Sequence, residues 1–228
     1  MSPSDSPSAA LAAALAAEAA RLGIDVPADS TQRLAAYAAS LWRWNERLNL
    51  TRHTDVEKFV SRDVGDAVAI AAHLAPGERI LDVGTGGGVP GVPLSILRPD
   101  LRVELAESVA KKARAVAEIL REIGVVIPVH EGAAQALVSA RGTGPERFDT
   151  LVIRAVAPLE KLLRWFEPLA GSYGRMLVVK GPRWEDEKAE ARHRGLAKRV
   201  LVRRIASWPI RGSDNESVLL EIRQRMES

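Results

Sequence analysis

Apolar residues recur at helical spacing along the first third of the chain. The alanine- and leucine-rich run from Ala9 reads as a helix, and Gly23 supplies its C-terminal stop. A second helix begins near Ser30, with Leu34, Tyr37, Leu41, Trp44 and Leu48 forming one inward stripe and Arg33, Arg43 and Arg47 lying off it. Trp44 belongs to that packing face. Asn49-Leu50-Thr51 breaks the pattern. Thr54-Asp55-Val56-Glu57 then matches a capping box, in which Thr54 and Glu57 satisfy exposed amides reciprocally and open a third helix to about Leu74.

After Pro76-Gly77 the pattern changes. Short apolar runs at Arg79–Val83, Leu101–Ala106, Val125–Val129, Phe148–Ile153 and Arg175–Val179 read as strands, with helical stretches between the first four. Such βαβα alternation predicts an α/β fold whose mostly parallel sheet is covered on both faces and binds ligands beyond the carboxyl ends of its strands. Val200–Ile205 and Ser217–Ile222 read as a final pair at the sheet edge, with an antiparallel pairing left open. The expected division is an N-terminal helical extension over residues 1–75, its Ser/Pro-rich residues 1–8 disordered, and an α/β core over 76–228.

Composition adds limits. With 46% hydrophobic and 27% charged residues in 228, one core is the default. The net charge is only +3, yet Arg43, Arg47, Arg52 and Arg62, and a second group of Arg192, Arg194, Lys198, Arg199, Arg203 and Arg204, could meet phosphates. The acidic residues Glu185, Asp186, Glu187 and Glu190 just before it make a solvated face the favoured reading of the second group. Having no cysteine, the chain has no disulfide, zinc-thiolate site or thiol nucleophile, which fits a reducing compartment such as the cytoplasm. Asp5 and Glu18 argue against a secretory signal, and no stretch reaches the ~18 apolar residues of a membrane span. A soluble monomer is expected. His53, His73, His130 and His193 show no metal spacing and read as structural or surface residues.

The candidate chemistry lies after the first strand. Gly84, Gly86 and Gly88 make a glycine turn through which backbone amides can approach a ligand, and Pro90 suits the first turn of the following helix. Gly86 to Gly91 also satisfies G-x-G-x-x-G, so a dinucleotide site stays open. Glu107 ends the second strand, where an acid accepts hydrogen bonds from both ribose hydroxyls of an adenosine. Asp82 favours a methionine-bearing cofactor, because a carboxylate there would attract its ammonium and repel a pyrophosphate. Arg154, at the carboxyl end of the fourth strand, points to the cleft.

The continuation Val89-Pro90-Gly91-Val92-Pro93-Leu94 makes the likeness specific. With Trp44-Asn45, Asn49-Leu50-Thr51, Glu107-Ser108, Lys111-Lys112, Arg154-Ala155 and Lys180-Gly181, it resembles the ribosomal RNA small subunit methyltransferase G family, once called glucose-inhibited division protein B. The resemblance spans about Ala9 to Arg223. It implies a class I S-adenosylmethionine-dependent methyltransferase, Rossmann-like with a seven-stranded sheet, that methylates N7 of a guanine in 16S rRNA or the small ribosomal subunit. By the same resemblance Gly84, Val89, Ala133, Ala134 and Arg154 contact S-adenosyl-L-methionine, while Asn49 and Lys111 shape the active site or bind RNA.

Three departures stand out. Where the family usually reads Arg-His-Ile/Leu-Leu-Asp-Ser, this chain has Arg62-Asp63-Val64-Gly65-Asp66-Ala67. The usual Arg-Ala-Glu after the third strand is Gly132-Ala133-Ala134, which removes a cation and an acid and leaves backbone amides and Gln135 to read adenine. Two further readings therefore remain: an RNA-binding or ribosome-assembly factor that keeps a cofactor pocket, and a methyltransferase of the same fold with another substrate.

Overall fold

The computed structural model describes residues 7–211 and 214–225. Of the segment expected to be disordered, residues 1–6 lie outside the described ones, whereas Pro7 and Ser8 already belong to α1 (Pro7–Leu22). In α2 (Ala28–Asn45) the stripe of Leu34, Tyr37 and Leu41 is fully buried, and Trp44 is half-buried with its indole N–H donating to Glu122 Oε1 at 3.3 Å. The next helix starts one residue later than the capping box predicts. Asp55, not Thr54, is its cap, because the Asp55 carboxylate accepts the Lys58 amide at 2.7 Å. From there α3 (Val56–Lys58) runs into a π-helical stretch (Phe59–Val64) and then α4 (Gly65–Ala71). π-Helical turns concentrate at functional sites, and this one carries the buried Asp63.

The remaining elements alternate as the apolar runs predict: β1 (Arg79–Val83), α5 (Gly91–Leu97), β2 (Arg102–Glu107), α6 (Ala110–Ile123), β3 (Val129–Glu131), α7 (Ala134–Arg141), β4 (Phe148–Arg154), α8 (Leu159–Phe166), β5 (Tyr173–Lys180), α9 (Trp184–His193), β6 (Val200–Pro209) and β7 (Glu216–Gln224). They form one seven-stranded sheet in the order β3-β2-β1-β4-β5-β7-β6. Strands β1 to β5 are parallel, and β7 runs antiparallel to both β5 and β6. Strand order reverses between β1 and β4, which places the ligand crevice beyond Val83 and Arg154.

One strand is displaced from its expected place. Val125–Ile127 are not in β3, which begins only at Val129. Pro128 has no amide to give the ladder, although its carbonyl accepts Leu105 N–H at 2.9 Å, and Val126 is exposed.

Alternation along the strands decides which side each functional residue faces. Ile80 and Val152 join the core under the N-terminal helices, while Leu81, Val83, Leu151 and Ile153 join the opposite core with α7 and α8. Period two therefore puts Asp82 with Ile80, and Arg154 with Val152, on the side of the N-terminal helices. None of the helices among the described residues is long and apolar enough to cross a membrane.

Candidate functional site

The turn after β1 is built from both directions. Gly84 and Thr85 donate their amides to Ala106 O at 2.9 and 3.1 Å, tying the turn to β2. From the N-terminal helices, the buried Tyr37 hydroxyl donates to Gly87 O at 2.8 Å. Asn45 Oδ1 accepts the amides of Leu50 and Thr51 at 2.7 and 2.9 Å, and so presses that loop against the turn. Gly88 has φ of 104°, and a Cβ there would lie 2.9 Å from Tyr37 Oη, so only glycine lets α2 close over the turn.

A cavity of about 670 Å³ opens above it, within the roughly 300–1,000 Å³ typical of ligand cavities. Asn49, Gly84, Gly86, Val89, Glu107 and Arg154 line it, all of them candidates from the sequence. Glu107 is buried and accepts Gly86 N–H at 2.9 Å and Val109 N–H at 2.8 Å, one on each carboxylate oxygen.

Five other candidates stand elsewhere. Gly88 lies beneath the cavity against Tyr37 and Val92. Lys111 is exposed and outside the lining, whereas Lys112 is in it, because one residue along α6 turns the side chain by about 100°. Ala133 caps α7 and Ala134 is buried in the core, so neither side chain lines the cavity.

Asp82 likewise does not line the cavity. Its Oδ2 accepts the Thr85 hydroxyl and the Gly91 amide, the latter at 2.9 Å, and so fastens both ends of the glycine turn. Burial pushes its pKa up to about 6, against the opposing pull of those two donors. A carboxyl raised in the folded state contributes most below its unfolded pKa, and that contribution is lost as pH rises toward 6. Asp82→Asn, which has no charge to desolvate, should therefore gain on the wild type by about 2 kcal/mol between pH 4 and pH 7, read as paired denaturant midpoints of the ligand-free protein. A constant difference across that range would show that the Asp82 charge is not strained by burial.

Arg154 crosses from β4 to the N-terminal helices. Its Nη1 lies 2.8 Å from Asp63 Oδ1 and its Nε 3.2 Å from Asp66 Oδ2, and both carboxylates are buried. Burial alone would lower the Arg154 pKa, but Asp63 and Asp66 outweigh it and hold the guanidinium above its usual value. Burial raises Asp66 despite Arg154. Trp208 Nε1 also donates to Asp66 Oδ1, at 2.9 Å.

Beside this cluster, His53 Nδ1 is 2.7 Å from Asp63 Oδ1, and His53 O accepts the Trp42 indole N–H at 2.8 Å. His53, Thr51, Arg52 and Asp63 all line the cavity, as do Thr85 and Lys112. The reading of His53 as a structural or surface residue missed its place there. The available signal was its position two residues after Asn49-Leu50-Thr51. Ala155, with φ of 53°, bends the chain at the cavity wall, and a non-glycine residue in that region marks backbone strain of the kind held at functional sites. No group of acidic and histidine residues suited to a metal occurs among the described residues.

A family model described as rRNA small subunit methyltransferase G matches residues 30–210. The ribosomal RNA small subunit methyltransferase G of Rhodopirellula baltica is 43% identical over 190 residues, covering 83% of this chain and 80% of that protein. The protein of the same name from Escherichia fergusonii is 34% identical over 203 residues, covering 88% and 92%. Among solved structures, the mitomycin 7-O-methyltransferase MmcR superposes with a TM-score of 0.51 at 18% identity, covering 97% of this chain and 70% of that one. M. capricolum TrmK, in complex with S-adenosyl-homocysteine, gives 0.53 at 13% identity, covering 70% and 67%. At such identities these two likenesses carry the fold alone: the doubly wound sheet is that of class I methyltransferases.

Proposed function

Since the chain belongs to the ribosomal RNA small subunit methyltransferase G family, we propose that it moves the methyl group of S-adenosyl-L-methionine to N7 of a guanine in 16S rRNA, with the small ribosomal subunit in the cytoplasm as its substrate. The observation that carries this reading is the cavity at the strand-order switch, which brings the glycine turn and Glu107 together with Asn49 and Arg154.

The residues present fit the cofactor. Gly86 has φ of 61°, and the nearest atom to a Cβ there would be Leu50 O at 3.9 Å, which leaves the backbone open for close approach by a ligand. Gly84, Gly86, Val89 and Glu107 would hold it, with Glu107 accepting from the ribose hydroxyls through lone pairs its two backbone donors leave free. When bound, S-adenosyl-L-methionine supplies an electrophilic methyl on a sulfonium. Guanine N7 has a lone pair and no proton. It forms the new N–C bond as the S–C bond breaks, the electron pair goes to sulfur, and the purine keeps the positive charge. No general base is required. The chain's task is to position the base in line with the methyl and to exclude water, and the ion-paired wall of Arg154, Asp63 and Asp66 gives it a rigid frame.

The test is labelled cofactor with small subunits that lack the modification. Label should appear in 16S rRNA at a guanine, mapped by strand cleavage at N7-methylated positions. Label found only outside RNA would sink the proposal. In the same preparation, Glu107→Ala should weaken S-adenosylhomocysteine binding by about 10- to 100-fold, the loss of a charge-assisted hydrogen-bonding partner. Calorimetry giving an affinity within twofold of wild type would remove Glu107 from the cofactor site.

A further inference from the structure

A second cavity of about 460 Å³ lies beside the first, and the two share Arg52, His53, Arg154 and Ala155. We propose that this second cavity receives the target guanine nucleotide, flipped out of its RNA, and that His53 is the side chain that meets the base. The inference rests on the guanine methylation proposed above and adds where the nucleotide sits and which residue reads it.

Guanine N7 lies in the major groove, which in A-form RNA is too deep and narrow for side chains to enter. Enzymes that act on a base take it out of the stack into a fitted pocket. Such a pocket must adjoin the methyl donor, offer apolar surface to a ring, and keep polar atoms in reserve for its edges and its phosphate. The second cavity meets each condition. Its common wall with the cofactor cavity makes the two adjacent, and Val156 and Val179 supply apolar surface. Ser217 also lines it, and that hydroxyl is buried without any hydrogen-bond partner. An unpartnered buried hydroxyl is costly unless a ligand completes it. Arg52 and Arg62 also line it and join no ion pair among the described residues, which leaves both to meet a phosphate, while the two lining carboxylates are already engaged, Asp66 by Arg154 and Glu187 by Lys180. Lys180, by contrast, is committed to Glu187 at 2.6 Å.

His53 is held in advance of any ligand. Asp63 Oδ1 meets its Nδ1 at 2.7 Å, Arg154 Nη1 holds the same oxygen at 2.8 Å, and Trp42 holds the His53 carbonyl. That leaves Nε2 as the one ring nitrogen without a protein partner among the described residues. A ring locked through one nitrogen with the other in reserve is a preorganised recognition element.

Substitutions at two positions of the full chain, Gly181 and His53, test the assignment on small subunits. A Cβ at Gly181, on the rim of the second cavity, would meet nothing within 4 Å, and its φ is not left-handed, so Gly181→Trp introduces a ring there without strain. It should lower kcat/KM for the subunits by about 100-fold while S-adenosylhomocysteine affinity stays within about twofold. His53→Ala should lower kcat by about tenfold, again with cofactor affinity kept, and His53→Gln should recover part of the loss by restoring a hydrogen-bonding group. Wild-type turnover in both Gly181→Trp and His53→Ala overturns the proposal. Loss of cofactor affinity in proportion to turnover also overturns it, by assigning the shared wall to the cofactor alone. Failure of the unmodified chain to label the RNA at all would instead strike the methyltransfer reading itself.

Discussion

Replacing Arg154 by alanine should abolish methyl transfer and lower the unfolding free energy by about 3–5 kcal/mol, the usual range when one partner of a buried ion pair is removed. The size follows from what is left behind. Asp63 is 1% exposed and Asp66 0%, and Arg154 is the only cation in an ion pair with Asp66 among the described residues. Without it, two carboxylates share a dry site, and the charge of Asp63 adds to the burial that already raises the Asp66 pKa. The deficit should therefore shrink as the pH is lowered and Asp66 takes up a proton. Arg154→Lys keeps the charge but lacks the planar fork that reaches Asp63 through Nη1 and Asp66 through Nε, so it should recover only part of the stability. Denaturant titrations at pH 5 and pH 8 would check this, and an alanine variant as stable as wild type at pH 8 would refute the role given to Arg154.

The second large effect is expected at Gly91, where the glycine turn enters α5. A Cβ there would lie 2.3 Å from Leu105 Cδ2, 2.8 Å from Asp82 Oδ2 and 2.9 Å from Asp82 Cβ. Leu105 is fully buried in β2, and Asp82 cannot retreat without releasing the Gly91 amide and the Thr85 hydroxyl. Gly91→Ala should thus combine overpacking with loss of hydrogen bonds to a buried carboxylate, about 2–5 kcal/mol in all. Because Asp82 anchors both ends of the turn, cofactor affinity should fall with stability. Gly181→Ala, whose Cβ enters open space, is the matched control and should be near neutral. Equal midpoints for the two alanine variants would show that the close packing around Gly91 is not needed.

The sheet was readable because its strands announce themselves locally. β1 occupies the expected Arg79–Val83 to the residue. Where local pattern and hydrogen-bonding capacity disagree, pattern fails: Val125-Val126-Ile127 is as apolar as a strand, but the following proline delays pairing to Val129. β6 continues past Ile205 to Pro209 through a register shift between Arg204 and Ala206, and no apolar alternation marks such a bulge. At the site, residues set by the turn itself were legible, including Gly84, Gly86 and Glu107. The roles of His53 and Asp63 were not. Asp63 stood out only as a departure from the family pattern, and the pairing that gives it meaning joins Asp63 with His53, ten residues earlier, and Arg154, ninety-one residues later in the chain. Only the π-helical stretch and the crossing of β4 bring them together.

The hydrogen bond from Trp208 to Asp66 has a consequence for the order in which the protein matures on its own ribosome. Chains emerge amino end first, and early segments fold before late ones are made. Asp66 leaves the exit tunnel long before Trp208, and among the described residues β6 is held in the sheet only by β7, which follows it in the chain. Until that hairpin arrives, the carboxylate has no indole to meet and β5 keeps an open edge. The nascent polypeptide therefore completes its acidic wall only once β6 and β7 have both emerged, and a chain truncated before β6 should carry the glycine turn without a finished cleft.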